Sequence, residues 1–129
     1  MPDSPAQKLR VLVVDDNADS ATMLATLLKT SGIGALVATD GAQALDAFDQ
    51  FRPHAVLLDL GMPGMDGFEV CRRVRQLPNS GAVLIVIVSG YVRDEHKVQA
   101  IDAGANYYFV KPVDPAKLLL LIEQHGASH

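Results

Sequence analysis

Two stretches of the chain, Arg10-Val-Leu-Val-Val and Val83-Leu-Ile-Val-Ile-Val, are continuously apolar and rich in β-branched residues. A strand with one face in water alternates apolar and polar residues, so an unbroken run of this kind calls for apolar cover on both faces. Five short apolar runs occur in all, at residues 9–14, 35–38, 55–58, 82–88 and 106–110, and helix-like stretches separate them. That rhythm predicts an α/β fold made of βαβ units, with a parallel sheet sandwiched between helices.

The intervening stretches carry helical spacing. Residues 18–31 place Met23, Leu24, Leu27 and Leu28 on one stripe, closed by Gly32, and residues 42–51 do the same with Ala44, Leu45, Phe48 and Phe51. A third helix is expected over 66–76, stopped before Pro78, and a fifth over 115–124 with Pro115 in its first turn. The fourth, over 93–103, has Val98 and Ile101 as its only large apolar residues apart from Val92, so it should be the least firmly docked. Residues 1–8 read as a flexible segment, 9–125 as one domain and 126–129 as a tail.

A chain of 129 residues is one domain by ordinary scaling, and 49% hydrophobic with 20% charged residues is globular usage. The net charge of −4, with no basic run, excludes the electrostatic footprint of a nucleic-acid binder. Cys71 is the only cysteine, which rules out an internal disulfide, and the polar start lacks the apolar core of a signal peptide. A cytoplasmic protein with no membrane association is expected.

The chemistry gathers at the carboxyl ends of the predicted strands: Asp15 and Asp16 after the first, Asp59 at the end of the third, Ser89 after the fourth and Lys111 after the fifth. In open α/β sheets that edge is where ligands bind. Three carboxylates converging there repel one another unless a cation sits among them, and an all-oxygen set favours Mg²⁺ or Mn²⁺ over zinc. Lys111 adds a compact positive charge and Ser89 a hydroxyl, so the set as a whole suits phosphoryl transfer. Taken singly the residues are plainer: Asp15-Asp16-Asn17 could be a helix cap, Ser89 a turn serine and Lys111 a surface lysine. Asp59 is different, because it closes the apolar run Ala-Val-Leu-Leu, where an unpartnered carboxylate is costly. His54, His96, His125 and His129 show no ligand spacing, and no role is assigned to them.

Four separated segments in the right order, Val11-Leu-Val-Val-Asp-Asp-Asn, Leu57-Leu-Asp-Leu-Gly-Met-Pro-Gly-Met-Asp-Gly, Val88-Ser-Gly and Phe109-Val-Lys-Pro, resemble the response-regulator receiver domains of two-component phosphorelays, over essentially residues 8–124. The resemblance implies a flavodoxin-like five-stranded order 2-1-3-4-5. It also implies that Asp59 is the phosphoacceptor, charged by a histidine kinase or histidine phosphotransfer protein. Asp15, Asp16, Asp59 and the backbone carbonyl of Gly61 would hold Mg²⁺ (or Mn²⁺), and Lys111 would neutralise phosphoryl charge. Ser89 and Tyr108 would form the switch, Pro112 would follow a cis bond that aims Lys111, and Gly61 and Tyr91 would flank the attacking water and set the phosphoryl lifetime. Alternation puts Tyr108 on the opposite face from Tyr107 and Phe109.

Signalling would then alter the face made by the fourth helix, fifth strand and fifth helix, where the run Leu118-Leu-Leu-Leu-Ile122, apolar all round, suggests a homodimer or another docked chain. Little chain follows Lys111, so no output domain is expected, and the protein should act by docking to a target or as a phosphate sink. The wording is also similar to receivers fused to hybrid sensor kinases. A dehalogenase-type phosphohydrolase would need Asp-x-Asp after the first strand, where this chain has Asp-Asp-Asn, and a flavodoxin's phosphate loop is incompatible with Asp15, Asp16 and Asp19. The alternative within the same fold is a non-phosphorylated pseudo-receiver acting as an interaction module.

Overall fold

The computed structural model describes residues 9–60, 67–78, 80–90 and 94–128. Strands and helices alternate from end to end: β1 (Arg10–Val14), α1 (Ala18–Thr30), β2 (Gly34–Ala38), α2 (Gly41–Phe51), β3 (Ala55–Asp59), α3 (Gly67–Gln76), β4 (Leu84–Ser89), α4 (Asp94–Asp102), β5 (Tyr107–Val110) and α5 (Pro115–Ser128). All pairings are parallel, and the sheet order is β2-β1-β3-β4-β5. The order reverses between β1 and β3, the place where an open sheet leaves a crevice at its carboxyl edge.

The unbroken apolar strands are covered on both sides. Leu12, Val14, Val56, Leu58, Ile85 and Ile87 point into one core with Ala44 and Phe48 of α2 and Val70, Cys71 and Val74 of α3. Their neighbours Val11, Val13, Leu57, Leu84 and Val86 point the other way, onto Ala21 and Leu28 of α1 and Leu118 and Ile122 of α5. Helix starts are fixed locally. Asn17 caps α1 by accepting from Ser20 N–H, and Asp40 caps α2 by accepting from Gln43 N–H, while the Gln43 side chain returns to bond Thr39 N–H.

Two expectations, both in α5, are corrected. α5 does not stop at 124 but continues through Ser128, so the expected tail is mostly helix. Gly126, within this extension, lets the helix lie against Leu9, because a Cβ there would sit 2.5 Å from Leu9 Cδ2. α4 is thinly docked, as its few large apolar residues imply: Val98 and Ile101 are 59% and 58% exposed, and Ala100, with Ala103 just beyond the helix, makes the buried contact. The leucine run of α5 is not two-faced either, since only Leu120 is strongly exposed while Leu118, Leu119, Leu121 and Ile122 pack on the core.

The start of β5 is held by a side chain the sequence does not single out. Arg75, at the end of α3, donates to the Gly104 carbonyl at 2.8 Å and to Asn106 Oδ1 at 2.9 Å, and Asn106 Oδ1 also accepts Ile85 N–H at 2.8 Å. Gly104, at φ +105°, leaves the space that the Arg75 side chain fills. One guanidinium thereby ties α3 to the turn after α4 and to the strand that ends at Lys111.

Cys71 donates its thiol hydrogen to the Ala103 carbonyl at 3.3 Å, and burial pushes its pKa up to about 11. Since the thiolate is the reactive form, the native protein at pH 8 should resist iodoacetamide, and alkylation should follow unfolding in urea. Rapid labelling of the folded protein would contradict this packing.

Candidate phosphoacceptor site

Strand order alone brings the site together. Val14 is in register with Leu58, so Asp15, the next residue of the first segment, lies beside Asp59. Asp59 is in register with Val88, which brings Ser89 alongside, and Ser89 is in register with Val110, which places Lys111 next. Four neighbouring strands thus bring Asp15 and Asp16, Asp59, Ser89 and Lys111 to the same edge. The backbone closes the corner, with Lys111 N–H donating to the Ser89 carbonyl at 2.7 Å and Asp15 N–H to the Ala38 carbonyl at 3.1 Å.

The capping and functional readings of Asp15-Asp16-Asn17 divide between residues. Asn17 does the capping, and its own N–H donates to Asp15 Oδ1 at 3.0 Å, which turns the Asp15 carboxylate toward Asp59. Asp15, Asp16 and Asp59 each offer an oxygen within 4.8 Å of the others, with Asp16 exposed and the other two side chains only 13% and 14% exposed. Lys111 Nζ stands 3.5 Å from Asp59 Oδ1 and 3.9 Å from Asp15 Oδ2, longer than a direct hydrogen bond, so one ammonium balances two carboxylates without being fixed to either.

The Asp15 carboxyl is held above the usual range, first by burial and then by the Asp59 charge, against the pull of Asn17 N–H and Lys111. A pocket that pushes a carboxylate towards neutrality despite a lysine lacks positive charge. The all-oxygen donor set and this deficit both fit a hard divalent cation.

Ser89 is 1% exposed at the end of β4. On β5, Tyr108 is half-buried against the α2–α3–α4 side, while Tyr107 and Phe109 lie on the opposite face with their rings stacked 6.1 Å apart. The Lys111–Pro112 bond is cis. Gly61 and Tyr91 lie outside the described residues. The sequence does not single out Gly67, whose missing Cβ would lie 2.9 Å from the Asp59 carbonyl oxygen, so α3 can begin directly against the Asp59 backbone. Beside the carboxylates, a cavity of about 660 Å³ opens between α1 and α5, walled by Met23, Leu24, Leu27 and Leu118 and ending at Asp59 and Lys111.

Residues 11–123 match the model of the response regulator receiver domain. The chain belongs to that family. MtrA, a DNA-binding response regulator of Mycobacterium tuberculosis H37Rv, is 43% identical over 110 residues, covering 85% of this receiver and 47% of MtrA, so the chain spans about half the length of that relative. An uncharacterised 14.6 kDa protein of Leptolyngbya boryana is 36% identical over 118 residues, covering 92% of this chain and 90% of the relative. Among solved structures, the Vibrio cholerae chemotaxis protein CheY4 aligns with TM-score 0.85 and 29% identity, over 91% of this receiver and 98% of CheY4. The receiver domain of a Colwellia psychrerythraea DNA-binding response regulator aligns with TM-score 0.83 and 28% identity, over 91% and 97% of the two chains. Among the described residues of this receiver, no helix is long and apolar enough to cross a membrane.

A carboxyl whose folded pKa is raised contributes stability that is fully present below its unfolded value of 3.8 and is lost as pH rises through the raised value. At neutral pH the ionised Asp15 is therefore a cost. Asp15→Asn, which keeps an acceptor for Asn17 N–H, should stabilise the metal-free protein at pH 7 by on the order of 1 kcal/mol and abolish the stabilisation that Mg²⁺ gives the parent. Urea unfolding with and without Mg²⁺ measures both, and an unchanged Mg²⁺ response in the variant would remove Asp15 from the cation site.

Proposed function

We propose that this receiver accepts a phosphoryl group on Asp59 from the phosphohistidine of a histidine kinase or phosphotransfer protein. The observation that carries this reading is the Asp59 carboxylate itself, which closes an apolar strand, with Lys111 Nζ at 3.5 Å and Asp15 and Asp16 within the same 4.8 Å cluster. In the transfer, Asp59 Oδ attacks phosphorus in line, the P–N bond to the donor imidazole breaks, and the electron pair leaves with the imidazole. Lys111 offsets charge on the phosphoryl oxygens. Asp15, Asp16 and Asp59, with the Gly61 carbonyl, would hold Mg²⁺ or Mn²⁺, which supplies positive charge for the equatorial oxygens. The cavity wall gives the donor protein an apolar landing place beside Asp59, where Met23 is 75% exposed.

The new dianion gives the Ser89 hydroxyl an acceptor, and Tyr108 turns inward as Ser89 moves. α4 responds because small alanines seat it and little packing must be rebuilt. Val98 and Ile101 of α4, Tyr107 of β5 and Leu120 of α5 are all more than 40% exposed, and they form the surface through which the phosphorylated receiver docks a target or a second copy.

Incubation with acetyl phosphate and Mg²⁺ should add one phosphoryl mass to the intact protein, and Asp59→Asn should add none. An Asp59-independent adduct, or no adduct with the parent, would leave the interaction-module reading. In sedimentation velocity, phosphorylation should increase self-association, and Val98→Glu with Ile101→Glu should reverse that increase. A strict monomer in both states would remove the homodimer.

A further inference from the structure

The edge of the sheet opposite the phosphoacceptor carries titratable groups that the function above leaves unused. His54 lies just before β3 and is stitched to both neighbouring strands: its N–H donates to the Arg10 carbonyl at 2.8 Å and its carbonyl accepts Leu84 N–H at 3.0 Å. Its ring adds a third bond, with Nδ1 accepting Arg10 N–H at 3.0 Å. A ring nitrogen that accepts from a backbone N–H carries no proton, so the neutral ring is protonated at Nε2 and its only basic lone pair is already engaged.

The charges around this ring come from three elements. On β1, the Arg10 guanidinium is anchored by Nε to the Phe51 carbonyl at 3.0 Å and by Nη2 to the Arg52 carbonyl at 2.7 Å, so it cannot swing away freely. On α5, His125 holds the Ala82 carbonyl through Nε2 at 2.7 Å, and that bond survives protonation at Nδ1. At the end of α2, Asp49 and Arg52 line with His54 and His125 a cavity of about 420 Å³. Burial, then Arg10, then His125 hold the His54 pKa below its ordinary value of 6.5.

We propose that His54 is a proton-sensitive latch for this end of the sheet: a proton taken from water at Nδ1 displaces Arg10 N–H and sets a new positive charge beside Arg10 and His125, so acidification loosens β1, β3 and the end of α5. The neutral latch contributes stability that is fully present above pH 6.5 and is lost as pH falls towards the depressed His54 value.

The test uses the full chain. In a ¹H NMR titration of the folded protein, the His54 ring should titrate below 6.5, and His125→Gln, which keeps a donor for the Ala82 carbonyl, should raise that midpoint. In urea unfolding, the unfolding constant of the parent should grow several-fold more between pH 7.5 and 5.5 than that of His54→Asn, whose Oδ1 replaces Nδ1 as a non-titrating acceptor. A His54 midpoint at or above 6.5, or parallel acid losses in parent and His54→Asn, would overturn the proposal. If His54→Asn fails to fold, the titration of the parent and of His125→Gln decides it alone.

Discussion

Three carboxylates gathered at the carboxyl edge of a parallel sheet are the constraint around which the rest of this receiver is arranged. Their mutual repulsion is created by topology, because β1 and β3 are neighbours, β1 runs straight into Asp15 and Asp16, and β3 ends in Asp59. Lys111 relieves part of it from β5, and Asn17 relieves another part by lending a backbone N–H to Asp15. What remains shows in the raised Asp15 carboxyl, a cost of the kind functional sites commonly retain at the expense of stability.

The remainder of the fold keeps those charges in register. Unbroken apolar strands leave the sheet little freedom to slip, because a one-residue shift would turn each side chain to the opposite core. Arg75 fixes the start of β5 against α3 and β4, so the position of Lys111 at the other end follows from a clamp on the far side of the sheet. Gly67 does the same for α3, allowing it to begin within contact distance of the Asp59 backbone. The two sheet edges are thus chemically distinct, one acidic and polar, the other held by histidines and arginines.

Much of this is legible in the residues. Polarity jumps sharply at Asp15, Asp59, Ser89 and Lys111, so strand ends and site residues can be read together, and the strand order follows from the family resemblance although periodicity does not contain it. Four features were hidden for physical reasons. Alanine carries almost no hydrophobic signal, so the seating of α4 on Ala100 and Ala103 is overshadowed by Val98 and Ile101, which face solvent. The need for Gly126 is hidden because its close approach is to Leu9, at the other end of the chain. Arg75 reads as a solvated helix charge, since its acceptors lie beyond the next helix. His54 looks idle because what matters is a backbone N–H 44 residues away.

The seating of α4 on small side chains separates two duties that most helices combine. Ala100 and Ala103 satisfy the interior, so the outward residues at 98 and 101 are under no obligation to fit the core. Their identity can drift without endangering the fold, and each change alters only the outer surface. For the docking surface proposed above, new pairings can therefore arise on this helix while the carboxylate cluster at the sheet edge stays untouched.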